Sequence, residues 1–378
     1  MIVVVKVGTS SITDSDGAID GNAVAKLCAE VAALRRDSHQ VVVVSSGAIA
    51  AGQPALGLSL PDRSPIRAAD LATLQAISAV GQSRLMRVYD DTLAEHGLVA
   101  GQVLLAPLDF VHRKQYLHAR QTMTRLLQLG VVPVVNENDA VADDEIRFGD
   151  NDRLAALVAN LVGAAVLVLL TDAPGLLTAD PRLVQDASLV EEVVAIDHEL
   201  EKVAGGAGTP RGSGGMASKL AAARMAAWSG VRVVIAGASR PGVLASAVAG
   251  DAGAGTTVRA HERRLSARKL WIAFAVGSSG TVMVDEGARA ALVEHNRSLL
   301  PAGVVGVKGA FEAEAAVEVT DTRGQVLAKG LVRHPSRRVE EWAGKRTADL
   351  PPDLPHEVIH RDDLVVLSSP PAQLAPDE

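Results

Sequence analysis

The amino-acid sequence predicts a doubly wound α/β domain with a mainly parallel sheet, followed by a small β-rich domain of barrel type. Three observations carry this. Up to about residue 250, continuous Val/Ile/Leu runs alternate with Ala/Leu-rich stretches. Continuous runs, unlike alternating ones, mark strands buried on both faces, as in a parallel sheet between helices. Several Ala/Leu stretches end in Gly just before the next run, the usual helix stop. Near 251–269, DAGAGTTVRAHERRLSARK, apolar content drops, and the runs beyond are short and split by Gly, Asp-Thr-Arg-Gly and Pro. The expected boundaries are an α/β domain at 1–252, a linker at 253–269, a β-rich domain at 270–367 and a disordered Pro-rich tail at 368–378.

The elements follow in order. IVVVKV (2–7) reads as the first strand, NAVAKLCAEVAALRRD (22–37) as a helix and QVVVVSS (40–46) as the second strand. A long helix is expected over 70–97 and another over 117–130, before the strand VVPVVN (131–136). The apolar stretch VANLVGAAVLVLL is shorter than a membrane span and holds Asn160, so it reads as a helix end plus the strand AVLVLLTD (165–172). SKLAAARMAAWSG (218–230) is a helix and VRVVIAG (231–237) a strand. In the second domain WIAFAV, GTVMVD, AAVEVTD, QVLAKGLV and DDLVVL read as strands, interrupted by the helix EGARAALVEHN.

Composition narrows the function. Hydrophobic residues make up 48% and charged residues 21% of the 378, the balance of a soluble globular protein. A net charge of −7 argues against bulk attraction to nucleic acid or to an acidic membrane. The N-terminus opens directly on a strand pattern, with no signal-peptide grammar. The single cysteine, Cys28, sits in the apolar-periodic VAKLCAEVAAL, which marks a structural thiol and fits a cytoplasmic protein. The histidines read as scattered, with neither His-x-x-x-His spacing nor a Cys/His cluster expected, and no calcium-loop pattern occurs over 136–152.

In open α/β sheets ligands bind where strands give way to loops at the carboxyl edge. Five features fall there. Lys6 near the end of the first strand, followed by Gly8-Thr9-Ser10, either snorkels to water or meets an anion. Ser45-Ser46-Gly47 is either a plain helix cap or an anion site. NENDAVADDEIRFGDND (136–152) carries seven acids against one Arg147 directly after a buried run, and is a metal cage, a solvated acidic loop or a pocket for a cationic group, with Asp143, Asp144 and Glu145 read as solvated loop. Thr171-Asp172 ends a strand before the turn signals Pro174-Gly175 and Asp180-Pro181, so it is a surface turn or a nucleotide edge. Gly212-Ser213-Gly214-Gly215-Met216-Ala217 precedes a helix holding Ser218 and Lys219. It matches a dinucleotide fingerprint, but follows a loop with Pro210 rather than a strand, and the P-loop pattern is absent. Two lysines and two Gly/Ser turns suit a polyphosphate, with Mg²⁺ held mainly by phosphate oxygens rather than by a protein metal site. Phosphoryl transfer is then the leading reaction class. The acids would grip a substrate ammonium and hold the lysines, and a carboxylate acceptor needs no general base.

The segments VVKVGTS, VVSSGAIAAG, VGQSRLM, GQVLL, VVPVVNENDAV, FGDNDRLAALVA, LLTDAPGLLTADPR, GSGGMASKLAAA and AGASRPG resemble the glutamate 5-kinase family, amino-acid kinases with a C-terminal PUA domain. The resemblance covers roughly residues 1–350. It implies an amino-acid kinase fold, ATP as co-substrate with Mg²⁺, phosphorylation of the L-glutamate γ-carboxylate as the first step of proline synthesis, proline as feedback inhibitor, and a homo-oligomer (dimer or tetramer). By position it implies that Lys6 and Lys219 contact the phosphates and the transferring group, and that Asp152 holds both lysines. Ser46, Gly47, Asp139 and Asn151 would bind glutamate, supported by Asn136 and Asp150. Gly8, Thr171, Asp172, Ser213, Gly214, Gly215, Met216, Ala217, Ser218 and Lys219 would bind ATP. Ser213 and Ser218 stand where the family commonly has threonine, and Leu177 where tyrosine is usual. In the C-terminal part VDEGARAAL, SLLPAGV, KGAF and KGLV resemble PUA, a module that often binds RNA. FEAEAAVEV lacks the usual glycine-aspartate, and Arg333, Arg337, Arg338, Lys345 and Arg346 are interleaved with Glu340 and Glu341, so no RNA function is expected. The rival readings are another amino-acid kinase, or a regulatory or RNA-binding protein with an inactive kinase domain.

Overall fold

The structure, a computed structural model, describes residues 1–57, 71–110, 112–141, 151–179, 184, 186–194, 196, 215–261 and 264–367. The chain divides into two compact units, Met1–Ala267 and Arg268–Glu378.

The first unit is built on an eight-stranded sheet in the order β3-β4-β2-β1-β5-β7-β8-β6. The strands are β1 (Ile2–Val7), β2 (Gln40–Ser45), β3 (Ala100–Leu105), β4 (Val132–Glu137), β5 (Val166–Thr171), β6 (Glu192–Val193), β7 (Arg232–Gly237) and β8 (Thr256–Val258). Every pairing is parallel except that of β7 with β8. The helices are α1 (Gly21–Arg36), α2 (Ala48–Gly52), α3 (Leu71–Ala94), α4 (Arg113–Gln128), α5 (Asn151–Val162), α6 (Met216–Trp228) and α7 (Val243–Ala249). Val3, Val4, Val5, Val42 and Val44 are all fully buried, as strands covered on both faces require.

Successive side chains of a strand face opposite sides of the sheet. Val3, Val5 and Val7 pack with Val41, Val43 and the buried faces of α1, α3 and α7. Lys6 has the other parity, and α5 and α6 bring Asp152 and Lys219 to it there. Cys28 lies in the first of these cores, where burial and the Glu95 carboxylate push its thiol up to about 12. It is a packed, unreactive thiol, as its sequence setting predicts.

Two glycines let α2 and α3 cross at backbone contact. A Cβ on Gly81 would lie 1.7 Å from the Ala48 carbonyl oxygen, and one on Gly52 would lie 2.1 Å from that of Ile77. Gly81→Ala is therefore expected to destabilise the first unit by at least ~1–3 kcal/mol. The calorimetric Tm should fall by roughly 5 °C, whereas Gly21→Ala, with nothing within 4 Å of its Cβ, should change it little.

The sequence prediction differs in three places. The expected linker at 253–269 contains β8, which pairs with both β7 and β6, so the sheet runs past the expected boundary. Three residues between glycine-rich turns are too short to show a strand period. WIAFAV, expected as a strand, continues the helix Ala267–Leu270 as one wide turn over Trp271–Ala275. A short apolar run does not separate buried helix from buried strand. His356 and His360 do have His-x-x-x-His spacing. They lie in non-helical chain, where His356 Nε2 meets the Pro351 carbonyl and His360 Nδ1 caps Asp362 N. No group of three potential metal-ligating side chains lies among the described residues.

The second unit holds a five-stranded sheet in the order β10-β9-β11-β12-β13, formed by β9 (Gly280–Val284), β10 (Val304–Lys308), β11 (Ala316–Thr320), β12 (Val326–Leu331) and β13 (Leu364–Val366). Val282, Val317, Val319, Ala328, Val339, Val358 and Ile359 centre its core. Arg337, Arg338, Lys345, Arg346, Glu340 and Glu341 are exposed, with Arg338 over the Trp342 ring and Arg333 paired to Glu357 at 3.1 Å. The expected tail at 368–378 lies outside the described residues.

Candidate active site

The site lies at the carboxyl ends of β1, β2, β4 and β5. β1 is central, and Lys6 is level with Val44 of β2 on one side and Leu169 of β5 on the other. β1 is followed by β2 on one side, and β5, on its other side, leads away to β7, so the connections diverge between β1 and β5, where α/β sheets open a crevice.

Three charged groups meet beneath that edge. Asp152, in the first turn of α5, is fully buried; its Oδ1 lies 2.5 Å from Lys6 Nζ and its Oδ2 3.3 Å from Lys219 Nζ. Ser218 Oγ donates to Asp152 Oδ2 at 2.9 Å. Only 4% of the Lys6 side chain and 7% of the Lys219 side chain are exposed, so neither ammonium reaches bulk water. Burial pushes the Asp152 carboxyl upward. The Lys6 and Lys219 ammoniums, with the hydrogen bonds from Lys6 and Ser218, outweigh burial and hold it below the usual carboxylate range. The result is an anion between two cations, positive by one charge overall, on the side where a ligand must enter.

Beside it lies a neutral network. Asn151 Nδ2 donates to the Ser45 carbonyl at 2.6 Å, to Asn136 Oδ1 at 2.8 Å and to Ser46 Oγ at 3.1 Å. Asn136 Nδ2 donates to Gln82 Oε1 at 2.9 Å. Gly47 follows with φ of 98°, the left-handed region that favours glycine, and so turns β2 into α2. Asp139 accepts from Ser78 Oγ at 2.5 Å. Farther along the edge, Thr171 Oγ1 donates to Asp172 Oδ1 at 3.1 Å, and the Thr171 carbonyl accepts from Ala238 N at 2.7 Å. An anion held by Lys6 and Lys219 would thus sit between a polar cradle on the β2–β4 side and the β5–β7 loops.

The sequence model of the Amino acid kinase family matches residues 1–237, and that of the PUA domain matches 280–351. The glutamate 5-kinases of Pelobacter propionicus and Caldanaerobacter subterraneus subsp. tengcongensis are each 44% identical, covering 97% of this chain and 97% and 98% of theirs. The chain belongs to the glutamate 5-kinase family. The glutamate 5-kinase of Methylobacillus flagellatus is also 44% identical, over 376 residues. A solved UMP kinase from Bacillus anthracis aligns at 12% identity and TM-score 0.48, over 68% of this chain and 95% of its own.

Within the family fold, the residues singled out from sequence divide into three groups. Lys6, Asp152, Lys219 and Ser218 form one hydrogen-bonded cluster, with Gly8 close enough that a Cβ there would lie 3.5 Å from Lys6 Nζ. Ser46, Asn136 and Asn151 form the second. Thr171 and Asp172 form the third, on the other side of β1. Gly215 caps α6, while Met216 and Ala217 occupy its first turn, with Ala217 exposed. Asp150, Ser213 and Gly214 lie outside the described residues, as do Asp143, Asp144 and Glu145. Sequence reasoning assigned no role to Ser78, Gln82 or Tyr89, and read Ser45 only as part of a helix cap or anion turn. Ser45 Oγ bonds the buried Tyr89 hydroxyl at 2.8 Å and so anchors the β2 end. The spacing of Ser78, Gln82 and Tyr89 on one face of α3 was the available signal.

Proposed function

We propose that the Lys6–Asp152–Lys219 cluster transfers the γ-phosphoryl group of ATP to the γ-carboxylate of L-glutamate, giving glutamyl 5-phosphate and ADP, the first step of proline biosynthesis. The carboxylate oxygen attacks the γ-phosphorus while the bond to the β–γ bridging oxygen breaks, and the electron pair leaves with ADP. Lys6 and Lys219 meet the charge spread over the moving group, and Asp152 keeps both ammoniums aimed before substrate arrives. The acceptor is ionised at neutral pH, with a reference pKa of about 4.3, so no general base is required. The single observation that carries this reading is Asp152 bridging two buried lysines, which an inactive kinase domain has no reason to keep.

Ser46, Gly47, Asn136, Asp139 and Asn151 bind glutamate, with Asp139 answering its ammonium. Gly8, Thr171, Asp172 and the 213–219 segment bind ATP. Mg²⁺, when bound with ATP, would supply charge neutralisation on the phosphates. Proline as feedback inhibitor, a homo-oligomer and a cytoplasmic setting complete the proposal. No helix among the described residues is long and apolar enough to cross a membrane.

Trapping the acyl phosphate with hydroxylamine, alongside ADP release, tests the reaction. Glutamate should give signal, while aspartate and N-acetylglutamate should give little. Turnover of N-acetylglutamate, which lacks an ammonium, would overturn the substrate assignment. Asp139→Ala should raise KM for glutamate by about 10-fold or more, the effect of losing a charge-assisted contact, with KM for ATP changed far less. Equal effects on both would place Asp139 elsewhere.

A further inference from the structure

Gln82 lies on α3 four residues after Ser78, so both side chains face the β4 end of the sheet. It is only 7% exposed, and its Nε2 is buried with no hydrogen-bond partner among the described residues. An apolar side chain of the same length would fill this space without stranding a donor. What glutamine adds is the acceptor Oε1, bonded to Asn136 Nδ2.

Two backbone groups fix the orientation of the amides beyond it. The Glu137 N–H donates to Asn136 at 2.9 Å, so the accepting atom is Oδ1. The Ser45 carbonyl accepts from Asn151 at 2.6 Å, so the donating atom is Nδ2. Asn136 must then turn its NH₂ to Gln82, and Gln82 must answer with its carbonyl. Asn151 has its NH₂ committed to Ser45, Ser46 and Asn136, which leaves Oδ1 as its free acceptor.

We propose that Gln82 is a positioning residue for the substrate ammonium: through Asn136 it holds Asn151 with Oδ1 presented to the bound amino acid. Without the Gln82 acceptor the Asn136 NH₂ is buried unpaired, only the Glu137 N–H still holds that amide, and Asn151 keeps Ser45 and Ser46 but loses a firmly held Asn136 as the third partner of its NH₂. The inference rests on reading the Ser46–Asn151 network as the glutamate pocket.

The test compares Gln82→Met and Gln82→Glu by steady-state kinetics and by calorimetric titration of glutamate and of ATP. Gln82→Met, which removes the acceptor at constant length, should raise KM and Kd for glutamate by about 10-fold and change those for ATP and kcat much less. Gln82→Glu keeps an acceptor oxygen and should recover most of the loss. In the Asn151→Ala background, Gln82→Met should add nothing further to the glutamate Kd. Equal losses for glutamate and ATP, a Gln82→Glu variant as impaired as Gln82→Met, or fully additive effects with Asn151→Ala would each overturn the proposal. Wild-type protein that binds no glutamate would overturn the substrate reading itself, an outcome separate from a wild type that binds and a Gln82→Met variant that is unimpaired.

Discussion

Asp152→Asn is expected to lower kcat by on the order of 10³-fold or more, beyond the loss from a single misplaced donor to a transition-state anion. Asp152 contacts neither phosphate nor glutamate in this reading. It acts by aiming two ammoniums, so its removal disturbs both. The same change breaks a buried ion cluster and leaves two lysines facing an amide, which should destabilise the first unit by about 3–5 kcal/mol. The pH dependence has a definite sign. The folded-state pKa of Asp152 is depressed by Lys6 and Lys219. Its stabilisation is therefore fully present above the unfolded value of about 3.9 and is lost as pH falls through the lower folded value. The stability gap between wild type and Asp152→Asn should be wide at neutral pH and close only in acid below that range. Near wild-type kcat in Asp152→Asn would remove the assignment.

Lys219→Met is expected to lower kcat by roughly 10²–10³-fold, the loss typical of one preorganised donor to a developing anion. Its stability should behave in the opposite way to that of Asp152→Asn. Two cations share one carboxylate here, and removing one leaves the Lys6–Asp152 pair at 2.5 Å intact and electrically neutral. The methionine stem refills the space that the lysine chain occupied on α6, where Lys219 is 6% exposed. Tm should stay at or above the wild-type value while turnover collapses, the trade between stability and activity expected of a residue held for function. A parallel loss of Tm and kcat would mean that Lys219 is structural. Lys219→Arg should not restore activity, because a planar guanidinium cannot occupy the position of a compact ammonium at the same carboxylate.

Legibility in the sequence followed element length and periodicity. β1, β2, β4, β5 and β7 are long apolar runs, and the sequence prediction places all five within one residue of their observed starts. β8 is three residues and β6 two, and neither has enough length to show a period. β3 reads AGQVLL and is half-exposed at the sheet edge, so it lacks the buried-strand signature. In the site, glycine turns, strand-end lysines and acids were readable because such residues are costly inside apolar runs. Gln82 and Ser78 were not, since a polar residue on a long helix is ordinarily on its solvent face.

By itself the sequence determined a two-part chain, a parallel sheet with its ligand edge, and the residue types needed for phosphoryl transfer. Burial patterns are local and periodic, and special turn residues mark the strand ends. Tertiary structure alone decided which charge meets which. Lys6, Asp152 and Lys219 lie on β1, α5 and α6, far apart in the chain, and only sheet parity and helix packing bring them to one carboxylate. It also decided that Gln82 faces Asn136 rather than solvent. Distances between segments depend on packing, and no local pattern encodes them.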